Sequence, residues 1–189
     1  MTILVSIGVE GNSSGFGLKK IGIEIGSNNH IIVDKNGKTN LDNIYAVGDV
    51  IGPPWLAHVS SSEGLYVVEH IAKLSPKKID YDCVPACTYS KPEIGSIGLS
   101  QKILDERGID YKVVKSFFNA NGKAVASDST EGFIKILVSD RNQILGAHII
   151  GSNATEMISE FSLAMSNNLS VENILDSIHP HPTFSEAIF

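Results

Sequence analysis

The amino-acid sequence predicts an α+β fold: a mainly antiparallel sheet flanked by helices, preceded by a stretch of short strands and one helix. Three observations carry this expectation. The apolar runs Phe133–Val138 and Ile144–Ile150 flank a short polar break at 139–143, as the arms of a hairpin do. Apolar residues then recur at helical spacing, first Met157, Ile158, Phe161, Ala164 and Met165, then Val171, Ile174, Leu175 and Ile178. Before Ser75-Pro76-Lys77-Lys78, the best linker candidate, short apolar runs alternate instead with Gly- and Ser-rich loops.

Taken in order, Thr2–Ile7 is a continuous apolar run ending at Gly8 and is expected to be a buried strand. Ile21–Ile25 and Ile31–Val33 are short strand candidates, and Asn36-Gly37 within 34–37 suits a tight hairpin turn. Ile44–Val47 is a further buried-strand candidate, closed by Gly48-Asp49. After Pro53-Pro54, residues 57–74 are expected to form a helix with Leu65, Val68, Ile71 and Ala72 on its apolar face. In the second part Ser100 is placed to cap a short helix ending at Gly108, and Tyr111–Phe118 is a strand. Asn153-Ala-Thr-Glu156 has the spacing of a capping box at the start of a helix, and Ser170 opens another.

Composition narrows the function classes. The 189 residues hold 15 Lys+Arg against 21 Asp+Glu, a formal charge of −6. With no basic block, nucleic acid is not expected as a partner. No apolar run approaches the ~18–20 residues of a membrane span, and the opening residues lack the basic and long apolar regions of a signal peptide. Two cysteines make no disulfide framework. A soluble, intracellular protein is the expectation.

Four motifs bear on chemistry. Gly48-Asp49 ends a strand candidate, so it is either an ordinary turn or a carboxylate at a strand's C-terminal edge, where α/β sheets bind ligands. Trp55-Leu-Ala-His58 opens the following helix, whose free N–H groups suit an electron-rich ring edge. Cys83 and Cys87 have C-x₃-C spacing with no second ligand pair. In an extended segment they stand about 13 Å apart at ~3.3 Å per residue, so they read as reduced structural cysteines, with no metal site expected. His179-Pro-His-Pro-Thr-Phe-Ser-Glu186 is the strongest signal. Either Glu186 orients His181 as an acid–base pair, or Thr183 and Glu186 form a capping box that occupies the carboxylate with backbone. His30, His70 and His148 read as locally satisfied.

In order, Ile44-Tyr-Ala-Val-Gly-Asp-Val50, Leu56-Ala-His58, Val84-Pro85, Tyr89-Ser-Lys-Pro-Glu93, Leu145-Gly-Ala-His-Ile149 and His179 to Ala187 resemble the flavin-dependent disulfide reductases. Within these the chain is most similar to the dihydrolipoyl dehydrogenases, and the resemblance covers essentially its whole length. Glutathione reductases share His-Pro-Thr and the following Glu but usually lack the earlier His, and mercuric reductases usually end in a cysteine pair.

The resemblance implies a remnant of a nicotinamide-binding domain at 1–11, a partial flavin-contacting central region at 12–78 and an interface (dimerisation) domain at 79–189. It implies His181 as the catalytic base and Glu186 as its orienting carboxylate. It further implies flavin contacts at Asp49, Trp55, Leu56, Ala57 and His58, and Gly8 near the nicotinamide. FAD and NAD are the implied cofactors. The implied partners are a second copy in a homodimer and the lipoyl domain of a 2-oxoacid dehydrogenase complex, in a bacterial cytoplasm or a mitochondrial matrix. The implied reaction is oxidation of dihydrolipoamide with NAD⁺ as acceptor. The family's G-x-G-x-x-G and C-x₄-C motifs do not occur, since Lys20 stands where Gly15-Phe-Gly17 needs a third glycine. Val9-Glu-Gly11 also departs from the usual Arg-x-Pro. The chain is therefore expected to be a C-terminal fragment, inactive alone and binding little of either cofactor. A non-catalytic dimerisation module and a piece of another flavin disulfide reductase, such as glutathione reductase, stay open.

Overall fold

The computed structural model describes residues 2–188, which divide into two compact units, Met1–Ile79 and Asp80–Phe189. Regular structure is sparse in the first unit because its short apolar runs find few strand partners. Thr2–Ile7 forms no strand, contrary to the sequence expectation: Ile3, Leu4, Val5 and Ile7 are all exposed. A strand persists only where a neighbour takes its N–H and C=O groups and a layer covers its face. Among the described residues this run has neither. Ile21 closes a 3₁₀ turn, Leu18–Ile21, and the next two candidates reduce to one antiparallel bridge between Ile25 and Ile31. Ile44–Val47 is half-buried, with a single bridge from Tyr45 to Lys38.

Side-chain bonds to backbone hold these loops instead. Asp34 Oδ1 accepts the N–H groups of Asn36 (2.8 Å) and Lys38 (3.0 Å), which turns the chain at 34–37. Only Gly37 there has a positive φ, so this is not the two-residue I′ turn, which needs two. Asn40 accepts the Glu24 N–H and donates to the Gly22 carbonyl, and the buried Thr39 hydroxyl donates to the Ile44 carbonyl.

Helix α1 runs Ala57–Ile71 and buries Val59, Glu63 and Val67. The expected apolar face, Leu65, Val68 and Ile71, is exposed. Both stripes satisfy helical spacing, and a polar contact decides between them. Glu63 Oε2 accepts the Gly48 N–H at 2.7 Å, which turns its face toward the Gly48–Ile51 turn.

The second unit is built on one antiparallel sheet of strands β1 (Ala86–Thr88), β2 (Ile94–Gly98), β3 (Lys112–Phe117), β4 (Gly132–Val138) and β5 (Ile144–Gly151). Their spatial order is β1-β2-β5-β4-β3, the α+β architecture expected. Between strands lie α2 (Gln101–Arg107) and α3 (Gly122–Ala126), and α4 (Ala154–Ser166) and α5 (Val171–Leu175) follow β5. Ser100 Oγ caps α2 and left-handed Gly108 ends it, as expected.

Helix α4 buries Ala154, Met157, Ile158, Phe161 and Ala164 against the sheet. It lies so close to β2 that a Cβ on Gly95 would stand 2.4 Å from the Ala154 carbonyl oxygen. Its N-terminus is not the expected capping box. Asn153 is left-handed (φ 60°) and makes no cap bond. Glu93 serves there instead, its Oε2 accepting the Thr155 N–H (3.1 Å) and hydroxyl (2.7 Å), a negative group at the positive end of the helix. Cys83 also departs from expectation, ending a 3₁₀ turn, Tyr81–Cys83, instead of lying in an extended strand with Cys87.

Candidate functional site

Glu186 sits in the 3₁₀ turn Phe184–Ile188, whose Phe184, Ala187 and Ile188 are buried in the core of the second unit. Phe184 meets Phe118 edge to face at 5.8 Å. A carboxylate carried on such a turn is fixed before any partner arrives. His181 Nδ1 lies 2.8 Å from Glu186 Oε1. A carboxylate only accepts, so Nδ1–H donates, and in the neutral imidazole the lone pair is then on Nε2. The His181 side chain is 77% exposed, which makes Nε2 accessible.

The other oxygen, Glu186 Oε2, accepts the Thr183 N–H at 2.7 Å. One carboxylate thus meets the imidazole with one oxygen and the backbone at Thr183 with the other, so the capping contact does not exclude the contact with His181. The capping box is only half made, because the Thr183 hydroxyl donates to the Pro180 carbonyl (2.8 Å). The Thr183 N–H, and then His181, hold the Glu186 carboxyl below the ordinary glutamate range. The bonds it makes as an anion are thus complete above that range and are lost as pH falls through the depressed value. Buried Asn121 supports the segment from α3, donating to the Thr183 carbonyl at 3.0 Å while accepting the Ala124 N–H.

Two residues here escaped sequence reasoning. Glu160 on α4 lies 2.7 Å from His179 Nε2. The two are 19 positions apart on different elements, and no periodicity joins them. Glu63, the buried partner of Gly48, was hidden because a glutamate amid helical polar residues reads as a solvated face.

In the first unit, Gly48 is buried with φ 76°, and Asp49 follows it, exposed, in the turn Gly48–Ile51. Trp55, Ala57 and His58 are exposed and Leu56 is half-buried at the start of α1. No side chain caps that helix at Leu56. An exposed carboxylate and a helix start without a side-chain cap are acceptor and donor groups of the kinds that suit the ribityl hydroxyls and ring edge of a flavin. Gly8 lies in an exposed segment without secondary structure.

Replacing Glu63 with Leu should leave the buried Gly48 N–H unpaired and cost about 1–3 kcal/mol. Gly48→Ala should cost about 1–2 kcal/mol in a left-handed residue, since its Cβ would also meet Ser60 Oγ at 2.8 Å. Urea denaturation of the first unit's fluorescence checks both, and an unchanged midpoint for either refutes that account.

The remaining candidates are structural. Cys83 and Cys87 are not disulfide-bonded, and burial followed by the nearby Glu156 pushes the Cys87 thiol up, away from the nucleophilic thiolate. His148 contacts the Leu99 carbonyl at 3.2 Å, and burial lowers its pKa. His70 stacks on Tyr66. His30 lies against Trp55, but its buried Nε2 has no hydrogen-bond partner, so it is not fully satisfied as expected. No described helix is long and apolar enough to cross a membrane.

Residues 84–189 match the family described as the pyridine nucleotide-disulphide oxidoreductase dimerisation domain, and residues 1–64 match pyridine nucleotide-disulphide oxidoreductase. The chain belongs to the pyridine nucleotide-disulphide oxidoreductases. Among curated members of this family, it is 41% identical over 98% of its length to the mitochondrial dihydrolipoyl dehydrogenase of Caenorhabditis elegans. It is 44% identical over 98% to a dihydrolipoyl dehydrogenase of Bacillus subtilis. It spans 38% and 39% of those relatives' lengths. The fold of this oxidoreductase chain superposes on LpdA of Mycobacterium tuberculosis with a TM-score of 0.89 at 27% identity, covering 95% of this chain and 39% of that one. A copper(II) complex of the HOCl-induced flavoprotein disulfide reductase RclA of Escherichia coli gives 0.87 at 26% identity, covering 95% of this chain and 41% of that one.

Proposed function

We propose that this chain forms the interface and part of the flavin-contacting region of an NAD-dependent dihydrolipoyl dehydrogenase, in which His181 is the base that activates dihydrolipoamide. One observation carries this reading: His181 Nδ1 lies 2.8 Å from the acceptor-only Glu186 carboxylate on an exposed ring, so in the neutral imidazole Nε2 is the nitrogen with the lone pair. A free thiol has a pKa near 8.5, so at neutral pH little of it is the nucleophilic thiolate. His181 Nε2 takes the thiol proton, and the imidazolium that forms keeps its Nδ1–H on Glu186, which neutralises the new charge. The thiolate then attacks a redox disulfide by exchange.

Asp49 and residues 55–58 would hold FAD, which when bound supplies the two-electron chemistry linking dithiol to NAD⁺. Asp49 would accept from a sugar-chain hydroxyl, and the N–H groups at the start of α1 would face the ring edge. The site is proposed to be completed in a homodimer formed through the second unit. The lipoyl domain of a 2-oxoacid dehydrogenase complex would deliver the substrate, in a bacterial cytoplasm or a mitochondrial matrix.

The test is a chimera in which this chain replaces the corresponding part of the Bacillus subtilis relative. It should bind about one FAD per chain and oxidise dihydrolipoamide with NAD⁺, while this chain alone shows neither stoichiometric flavin absorbance nor turnover. A folded, flavin-loaded chimera without turnover would overturn the reading, as would full activity in this chain alone.

A further inference from the structure

We propose that His179 is a positioning residue: tied to Glu160 on α4, it sets where His181 stands against the core-anchored Glu186. The pattern of burial from 175 to 182 is the evidence. Every residue of this segment is exposed except His179. Its side chain is 7% exposed beside an Ile178 that is 99% exposed. A single side chain therefore turns the segment onto the body of the unit.

That side chain is bonded at both ends of its ring. Nε2 lies 2.7 Å from Glu160 Oε1, and Nδ1 lies 3.1 Å from the Ser177 carbonyl oxygen. Both partners accept, so making both bonds at once uses a proton on each ring nitrogen. Glu160 is itself fixed, because α4 buries Met157, Ile158, Phe161 and Ala164 on either side of it. The Thr183 hydroxyl bond to the Pro180 carbonyl then closes a loop that begins at His179 and ends at Glu186. The far end of the loop is held separately, by Asn121 at the Thr183 carbonyl, so the His179 tie acts on the near end that carries His181. A cavity of about 460 Å³ lies between α4 and this loop, lined by Glu160, Lys123, Pro182, Thr183, Phe184 and Ser185. The charged groups lining the cavity are Glu156 and Glu160 on α4 and Lys123 on α3, and the Glu186 carboxylate interacts with both His181 and His179.

The consequence for catalysis rests on the role proposed above for His181, but the positioning can be read without activity. Carbon-detected NMR follows the Glu186 carboxyl through its titration, and nitrogen-detected NMR reports the His181 tautomer. In His179→Ala the Glu186 midpoint should rise by about half a pH unit or more as its partners drift, and His181 should show both neutral tautomers. Glu160→Ala should do the same, and the double variant should add nothing further. His179→Gln places an amide N–H where Nε2 stood and should restore the wild-type midpoint. Gln is neutral, so this recovery separates placement from the direct field of the His179 ring on Glu186.

A purely structural role would lower melting temperature without moving the Glu186 titration in the folded chain. Wild-type titration and a single His181 tautomer in a folded His179→Ala protein would overturn the proposal. So would failure of His179→Gln to recover. Should His179→Ala not fold, Glu160→Ala at its half-buried site makes the same comparison. The chimera's activity decides the dehydrogenase reading separately, since neither NMR signal depends on it.

Discussion

Replacing His181 with Gln in the chimera is expected to lower turnover with dihydrolipoamide by roughly 10²–10⁴-fold, the usual contribution of a positioned general base. Flavin content should be unchanged, because His181 lies in the second unit and the residues proposed to meet the flavin lie in the first. The loss should fall mainly on kcat, since the imidazole acts on a proton in transit and not on the body of the substrate. It should also shrink with a dithiol of lower pKa, which needs less help to ionise. Steady-state rates with two dithiols of different acidity measure this directly. Equal losses with both would mean that His181 holds the substrate and does not move its proton.

The legible part of the fold was the second unit, for a physical reason. Its central hairpin pairs strands close in sequence, Phe133 to Val138 with the run from Ile144, so there local periodicity and final pairing agree. Strand β2, by contrast, finds β5 only across some fifty residues and left no such signal. In the first unit the same reasoning misplaced Thr2–Ile7, because an apolar run specifies a strand only when something pairs with it. The buried face of α1 was misread for a related reason. Leu65, Val68 and Ile71 make the better apolar stripe, but the bond from the Gly48 N–H to Glu63 turns the helix, and a bond between residues 15 apart leaves no trace in periodicity.

At the candidate site, His181 and Glu186 were legible because they are five residues apart on one stiff segment. Glu160 and Glu93 were not. Glu93 meets Thr155 only through the packing of α4 beside the sheet, and Glu160 meets His179 only where the loop after α5 returns to α4. Sequence also posed a backbone contact and a His181 contact as rivals for Glu186, whereas a carboxylate has two oxygens and one meets each partner.

That shared use makes Glu186→Gln a severe change, although Gln is a good capping residue. The Thr183 N–H at 2.7 Å requires an acceptor, so it should keep the amide oxygen in the place of Oε2. The amide NH₂ is then left facing His181 Nδ1, where Glu186 Oε1 had accepted. Two donors cannot bond each other, so Nδ1 must become the acceptor and the imidazole proton must move to Nε2. The fold is intact and the geometry preserved, yet the nitrogen that should receive the thiol proton already carries one. An equivalent amide-for-carboxylate change behind a catalytic histidine lowers kcat by about 10⁴ in the serine-protease triad. A loss of at least about 10²-fold, ~2.7 kcal/mol of barrier, is the expectation for the chimera. Nitrogen-detected NMR of His181 in the isolated chain should show the proton moving from Nδ1 to Nε2, with the thermal midpoint nearly unchanged because the cap survives. Glu186→Ala is the informative contrast, since it frees Nδ1 but orphans the Thr183 N–H. It should lose more stability and less activity than Glu186→Gln. If Gln proved as active as wild type with Nδ1 still protonated, the carboxylate would be a cap alone and His181 would act without it.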